Sequence, residues 1–227
     1  MDRPLNTAPR EQRRDEILTA ARAVFCAKGF DPATVAEIAA RCGIVEGTVY
    51  RYFPSKHALL VAVLEQWYRP MFAQYAQDLA GIRDARGRLR MLIWRHLRTI
   101  HEAPDLCRLM FAEARRAPES PDEPASELRQ LNRRYTRFLI EVLEDGIQRG
   151  EFRPGIPGPL FRDLVFGGIE HHCWRYLSGQ GELDIDAAAD QITEIFCDGA
   201  APAEPLSALQ AQTDRLAALI DHMEHSH

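Results

Sequence analysis

Apolar residues recur at steps of three and four along most of the chain, the period of helices that bury one face. The first stripe is Ile17, Ala21, Val24 and Phe25, within a helix expected over 11–28 and ended by Gly29. Two short helices are expected within 34–53. A longer one follows over 56–79, with Leu60, Val63, Leu64, Trp67 and Met71 on one face. Residues 88–101 present Leu89, Leu92, Ile93, His96, Leu97 and Ile100, and a short helix covers 105–115. The stripe over 127–148 is the longest: Leu128, Leu131, Tyr135, Phe138, Leu139, Val142, Leu143 and Ile147. Over 159–178, Leu160, Leu164 and Gly168 mark one face and Phe161, Val165, Ile169 and Cys173 another. That arc predicts burial on two sides. A helix over 185–197 and a three-four seam over 206–224 (Leu206, Leu209, Thr213, Leu216, Ile220, Met223) complete an all-α reading.

Proline, glycine and polar clusters punctuate these helices. Residues 81–87, 117–126, 154–159 and 200–205 read as connectors, and 1–10 as a disordered tail. Pro70 falls inside the long helix and is expected to kink or break it. Gly167 and Gly168 would let another helix approach closely. The seam over 206–224 either packs on its own body or extends a dimer contact.

The most informative stretch is TVAEIAARCGIVEGTVYRYFPSK, residues 34–56. Thr34 and Glu37 have capping-box spacing, and Cys42-Gly43 ends the first short helix. The second begins near Val45 and stops before Pro54, with Val49 and Phe53 facing inward. Gly47 removes a side chain where backbone would approach a phosphate. Glu46, Thr48, Tyr50, Arg51, Tyr52 and Lys56 supply groups that can meet bases or phosphates. Spacing alone leaves two readings open, a packing hairpin or a helix-turn-helix with its second helix in the major groove.

The residues themselves tip the balance. Arg14, Ile17, Ala20-Ala21, Phe25, Lys28-Gly29-Phe30, Thr34, Ile38-Ala39, Gly43, Gly47 to Tyr50, Tyr52-Phe53, Ser55-Lys56 and Leu59-Leu60 closely resemble the DNA-binding domain of TetR-type (tetracycline-repressor-like) regulators over 11–71. The resemblance implies base and phosphate contacts at Thr34, Glu46, Gly47, Thr48, Tyr50, Tyr52 and Lys56. It also implies a long linking helix whose tilt sets the head spacing, and dimerisation through the helices over 159–178 and 185–197. Val45 departs from the family's usual serine or threonine. Valine cannot cap the helix, and it is left either as an uncapped start or as an apolar contact with a thymine methyl. DLCRLMFAEAR and FGGIEHHCWRYL carry a faint likeness to regulators of fatty-acid metabolism.

Composition narrows the alternatives. The chain has 227 residues, 46% of them apolar and 27% charged, with a net charge of −5. Residues 1–69 hold ten Lys and Arg against eight Asp and Glu, while the remainder holds 18 against 25, so the positive balance lies at the helix-turn-helix end. Arg10, Arg13 and Arg14 either reach flanking phosphate and minor groove or belong to a solvated tail. No apolar run approaches the ~20 residues of a membrane span, and the start lacks a signal-peptide pattern, so a cytoplasmic protein is expected. Five scattered cysteines without a C-x-x-C predict buried reduced thiols.

Glu170, His171, His172 and Cys173 are consecutive, and neighbours on a helix diverge by about 100°, so they cannot converge on a metal alone. Glu224–His227 is the one Glu-x-x-His spacing, and His222, His225 and His227 could scavenge metal adventitiously. No nucleophile elbow or phosphate-cradling glycine loop is present, so no enzyme and no cofactor is expected. Trp94, Phe111, Tyr135, Phe138, Phe166, Glu170 and Trp174 are candidates for an effector pocket between body helices, each with core packing as the alternative.

The sequence therefore predicts a helix-turn-helix head over 11–71 and a ligand-binding and dimerisation body over 72–200. The expected protein is a homodimeric repressor that binds palindromic double-stranded DNA and is released by a small apolar effector. A metal-sensing regulator and a helical module that binds a protein partner are the two competing readings.

Overall fold

The computed structural model describes residues 8–115 and 125–202, and Arg215. The sequence-predicted C-terminal seam over 206–224, apart from Arg215, lies outside them, as do the histidine-containing tail, residues 1–7 and the connector over 116–124. Every element among the described residues is helical.

Helices α1 (Ala8–Lys28), α2 (Val35–Arg41) and α3 (Glu46–Tyr52) form the head with the start of α4 (Lys56–Ala80). Ile17, Phe25, Ile38, Val49, Leu59 and Leu60 fill its centre. α1 already includes residues 8–10, which were expected in the tail. Ser55 Oγ caps α4 by accepting from the Ala58 amide at 3.0 Å.

Pro70 does not break α4, which runs continuously through it. Proline removes the amide that would bond the Gln66 carbonyl, but both residues lie on the exposed side, where water can satisfy that carbonyl. Tyr68, Tyr75 and Leu79 on the other side are buried against the body.

The body comprises α5 (Ala85–Glu102), α6 (Pro104–Arg115), α7 (Ala125–Gln148), α8 (Gly158–His172), α9 (Trp174–Leu177) and α10 (Ile185–Ala200). α5 begins earlier than predicted because Asp84 caps it, accepting from the Gly87 amide at 2.6 Å. α5 packs on α10 and α7, α7 also on α4 and α8, and α6 on α1. The expected single helix over 159–178 is two, with a turn at Cys173. At Gly146 α7 lies close against its neighbours: a Cβ there would collide with the Phe152 ring and lie 2.9 Å from the Ala85 Cβ. Gly167 and Gly168, by contrast, face open space within this chain.

Of the cysteines, Cys107, Cys173 and Cys197 are buried as predicted, whereas Cys26 and Cys42 are only half-buried. Burial pushes the Cys107 and Cys173 thiols up to about 12. No described helix is long and apolar enough to cross a membrane.

Candidate nucleic-acid interface and body cavity

The head hairpin is built on its caps. Thr34 Oγ1 accepts from the Glu37 amide at 3.2 Å, and Glu37 Oε2 accepts from the Thr34 amide at 3.2 Å. Glu37 also pairs with Lys28, and that hydrogen bond holds its carboxyl below the usual range. Gly43 takes φ +64°, a left-handed conformation that lets the chain leave α2 and start α3.

α3 then divides into two sides. Val49 is buried, and the following Phe53 anchors the helix end. Val45 (73% exposed), Glu46, Gly47, Tyr50 and Arg51 form the outward side, with Thr48 half-buried at its edge. Val45 makes no side-chain cap, as its chemistry dictates, and stands free at the helix start. A Cβ at Gly47 would meet nothing within 4 Å, so packing does not require glycine there. Thr34 is exposed, and its hydroxyl is engaged with Glu37, accepting from the amide and bonding the carboxylate.

Two residues of the expected contact set are placed differently. Tyr52 is half-buried and lines a cleft of about 610 Å³ between the head and α7, with Arg14, Phe53 and Glu65. Lys56 turns inward: its ammonium donates to the carbonyls of Phe30 (2.9 Å), Asp31 (3.0 Å) and Ala33 (3.0 Å), which uses all three N–H donors. It also sits 4.5 Å from the Phe30 ring centroid. Of the basic residues near the start, Arg13 pairs with Glu16 at 2.6 Å and Arg14 lies over the Phe53 ring at 5.3 Å.

The body holds a cavity of about 360 Å³ between α5, α6, α7 and α8. Phe111, Tyr135, Phe166 and Glu170, four of the expected effector residues, line it. The other three do not. Trp94 donates from Nε1 to Asp186 Oδ1 at 2.9 Å on the α5–α10 seam, with Arg95 and Arg98 stacked on its ring. Phe138 packs against Phe72 and Tyr75 under α4, and Trp174 is 55% exposed on α9.

Sequence reasoning missed half of the cavity's chemistry. Arg115, Arg129, Arg133 and Arg162 line its outer part. Glu170 answers Arg115, and Asp163 answers Arg162 at 2.7 Å. At the inner wall His96, Met110, Leu128, Tyr135 and Thr136 are buried. The Tyr135 hydroxyl is 2.6 Å from His96 Nδ1 and 2.6 Å from the Tyr75 hydroxyl. Burial holds the His96 ring down to about 4, so it is neutral near pH 7. The available signal was a lone titratable residue in the otherwise apolar stripe of α5. Among the described residues, no three His, Cys, Asp or Glu converge on a point that could hold a metal.

Comparison with known proteins agrees with this architecture. Residues 17–63 match the family model described as bacterial regulatory proteins, tetR family, and residues 83–200 match that of the tetracyclin repressor-like C-terminal domain. The fatty acid metabolism regulator protein of Bacillus subtilis is 24% identical over 184 residues, 81% of this chain and 93% of that protein. The transcriptional repressor KstR2 of Rhodococcus jostii is 27% identical over 199 residues, 86% of this chain and 95% of that one. The crystal structure of Bacillus subtilis FadR in complex with stearoyl-CoA superposes with a TM-score of 0.70 at 23% identity, covering 82% of this chain and 98% of the other. With matches at both ends of the chain and a helix-turn-helix held as its caps dictate, the protein belongs to the tetR family of bacterial regulatory proteins: a DNA-binding transcriptional repressor, not an enzyme.

Proposed function

We propose that this protein is a cytoplasmic repressor that binds a palindromic operator as a homodimer and is released by an amphiphilic effector. The outward side of α3 carries the DNA half of the reading. Val45, Glu46, Gly47, Thr48, Tyr50 and Arg51 are presented together, while Val49 locks the opposite side into the head. Thr34 adds a phosphate contact from the start of α2. Lys56 acts from behind, by holding the 30–33 loop, and Tyr52 supports the head against the body.

Leu160 (54% exposed), Leu164 (54%) and Ile195 (69%) leave an apolar face on α8 and α10, and Gly168 continues it with open space beside its backbone. That face supports pairing with a second copy, and a two-fold dimer matches an inverted repeat.

The observation that carries the effector half is the gradient in the body cavity. Its inner wall is largely apolar and buried, and its outer part is lined by arginines. This suits a ligand with an apolar chain or ring system and an anionic end, and one relative points the same way: the Bacillus subtilis fatty acid metabolism regulator, FadR, was crystallised with stearoyl-CoA. Ligand binding would favour an α4 tilt whose head spacing no longer fits the operator. The effector shifts that equilibrium only by its differential affinity for the two states. The test is operator binding followed by fluorescence anisotropy as dodecanoyl-CoA is added. Release at a saturable stoichiometry is expected, and indifference to acyl-CoA would overturn the amphiphile assignment.

A further inference from the structure

The inner wall of the body cavity carries one polar device. His96 on α5, Tyr135 on α7 and Tyr75 on α4 are joined in a line by two hydrogen bonds of 2.6 Å each. All three side chains are buried. The line uses His96 Nδ1, and His96 itself lines the cavity, so Nε2 is the ring nitrogen left for an occupant. The Phe166 ring packs edge-on to the imidazole at 4.8 Å and fixes its plane.

A neutral imidazole offers Nε2 one hydrogen bond and no charge. It would not compensate a carboxylate or phosphate, whose place is at the arginines further out. It suits a carbonyl or hydroxyl oxygen, which would otherwise be buried unpaired among Met110, Phe111 and Phe166. The proton on the line follows the occupant. A carbonyl needs Nε2–H, so Nδ1 accepts from Tyr135 and Tyr135 accepts from Tyr75. A hydroxyl that donates to Nε2 reverses both bonds.

We propose that His96 Nε2 is the specificity-determining contact of the cavity, holding an uncharged carbonyl or hydroxyl oxygen in the apolar part of the effector, and that Tyr135 and Tyr75 pass its occupancy to α4. The inference rests on the amphiphile reading of the cavity. The last link is α4 itself, because Tyr75 stands near the far end of the helix whose first turn carries Lys56 and the head.

The test compares three ligands of nearly equal size and charge: S-dodecyl-CoA, which lacks a chain oxygen, dodecanoyl-CoA and 3-oxododecanoyl-CoA. Binding is measured calorimetrically to the full-length wild type and His96→Phe. At least one oxygenated ligand is expected to bind the wild type about tenfold or more tightly than the thioether, with His96→Phe levelling the series. Equal binding of all three, or a ranking that survives His96→Phe, overturns the inference and leaves the amphiphile reading standing. Failure of all three to bind the wild type overturns both. Should His96→Phe not fold, nitrogen-15 shifts of the wild-type His96 ring decide. The oxygenated ligand should move the Nε2 resonance and the thioether should not; equal shifts with both would overturn the inference.

Discussion

Lys56 Nζ lies 2.9 Å from the Phe30 carbonyl and 4.5 Å from the centre of the Phe30 ring, so one ammonium ties the first turn of α4 to the loop that precedes α2. A phosphate contact and a loop clamp leave different signatures in salt. Losing a phosphate contact flattens the dependence of log affinity on log salt by roughly one unit, whereas loosening a clamp weakens binding with the slope retained. Lys56→Met is expected to lower operator affinity several-fold at unchanged slope and to lower the melting temperature. Salt titrations of operator binding by both proteins check this, and a flattened slope would return Lys56 to the phosphate.

The apolar face of α8 and α10 predicts an association phenotype. Leu164→Glu combined with Ile195→Glu places carboxylates at positions 54% and 69% exposed in the single chain. The monomer fold should tolerate them, while pairing across that face should fail. Sedimentation velocity is expected to report a dimer for the wild type and a monomer for the double variant, with operator affinity falling in parallel.

Gly146 predicts a stability effect with no ligand involved. An added methyl meets the Phe152 ring and Ala85 rather than a flexible chain end. Gly146→Ala should destabilise by about 1–3 kcal/mol despite alanine's better helix propensity. Urea unfolding midpoints measure it, and a stabilised variant would mean that α7 and α5 can separate freely.

His96 predicts a pH dependence. Burial lowers its folded value to about 4, below the 6.5 of an exposed histidine, so the unfolded chain binds more protons between those values. Its contribution is fully present above pH 6.5 and is lost as pH falls towards 4, amounting to up to about 3 kcal/mol over that window. Denaturant midpoints between pH 4 and 7 should therefore fall more steeply for the wild type than for His96→Gln. Parallel profiles would place the ring in a wetter site.

The helical plan was legible because capping and periodicity act locally. Thr34 and Glu37 meet as their spacing requires, and Val49 and Phe53 face inward as their period requires. Pro70 does not interrupt α4 because the cost of a helical proline depends on which way the freed carbonyl faces, and that is set by packing rather than by local sequence. The inward turn of Lys56 was not legible for a related reason: three carbonyls 23 to 26 residues away collect its ammonium, a long-range fact. Aromaticity singled out Trp94 and Phe138 as readily as Phe111 and Phe166, since a large ring on a helix face does not reveal whether it meets a seam or a void. Arg115, Arg129, Arg133 and Arg162 lie on three separate helices, and only the packing gathers them over one cavity.

Reading of one specific inverted repeat by the outward side of α3 is tested by selecting genomic DNA fragments at moderate salt and sequencing what is retained, in parallel on the wild type and Tyr50→Ala. Enrichment of a single inverted repeat by the ligand-free wild type is expected, with loss of that enrichment in Tyr50→Ala and non-specific retention unchanged. Absence of any enriched repeat from the wild type, or the same repeat recovered by Tyr50→Ala at equal strength, would contradict it.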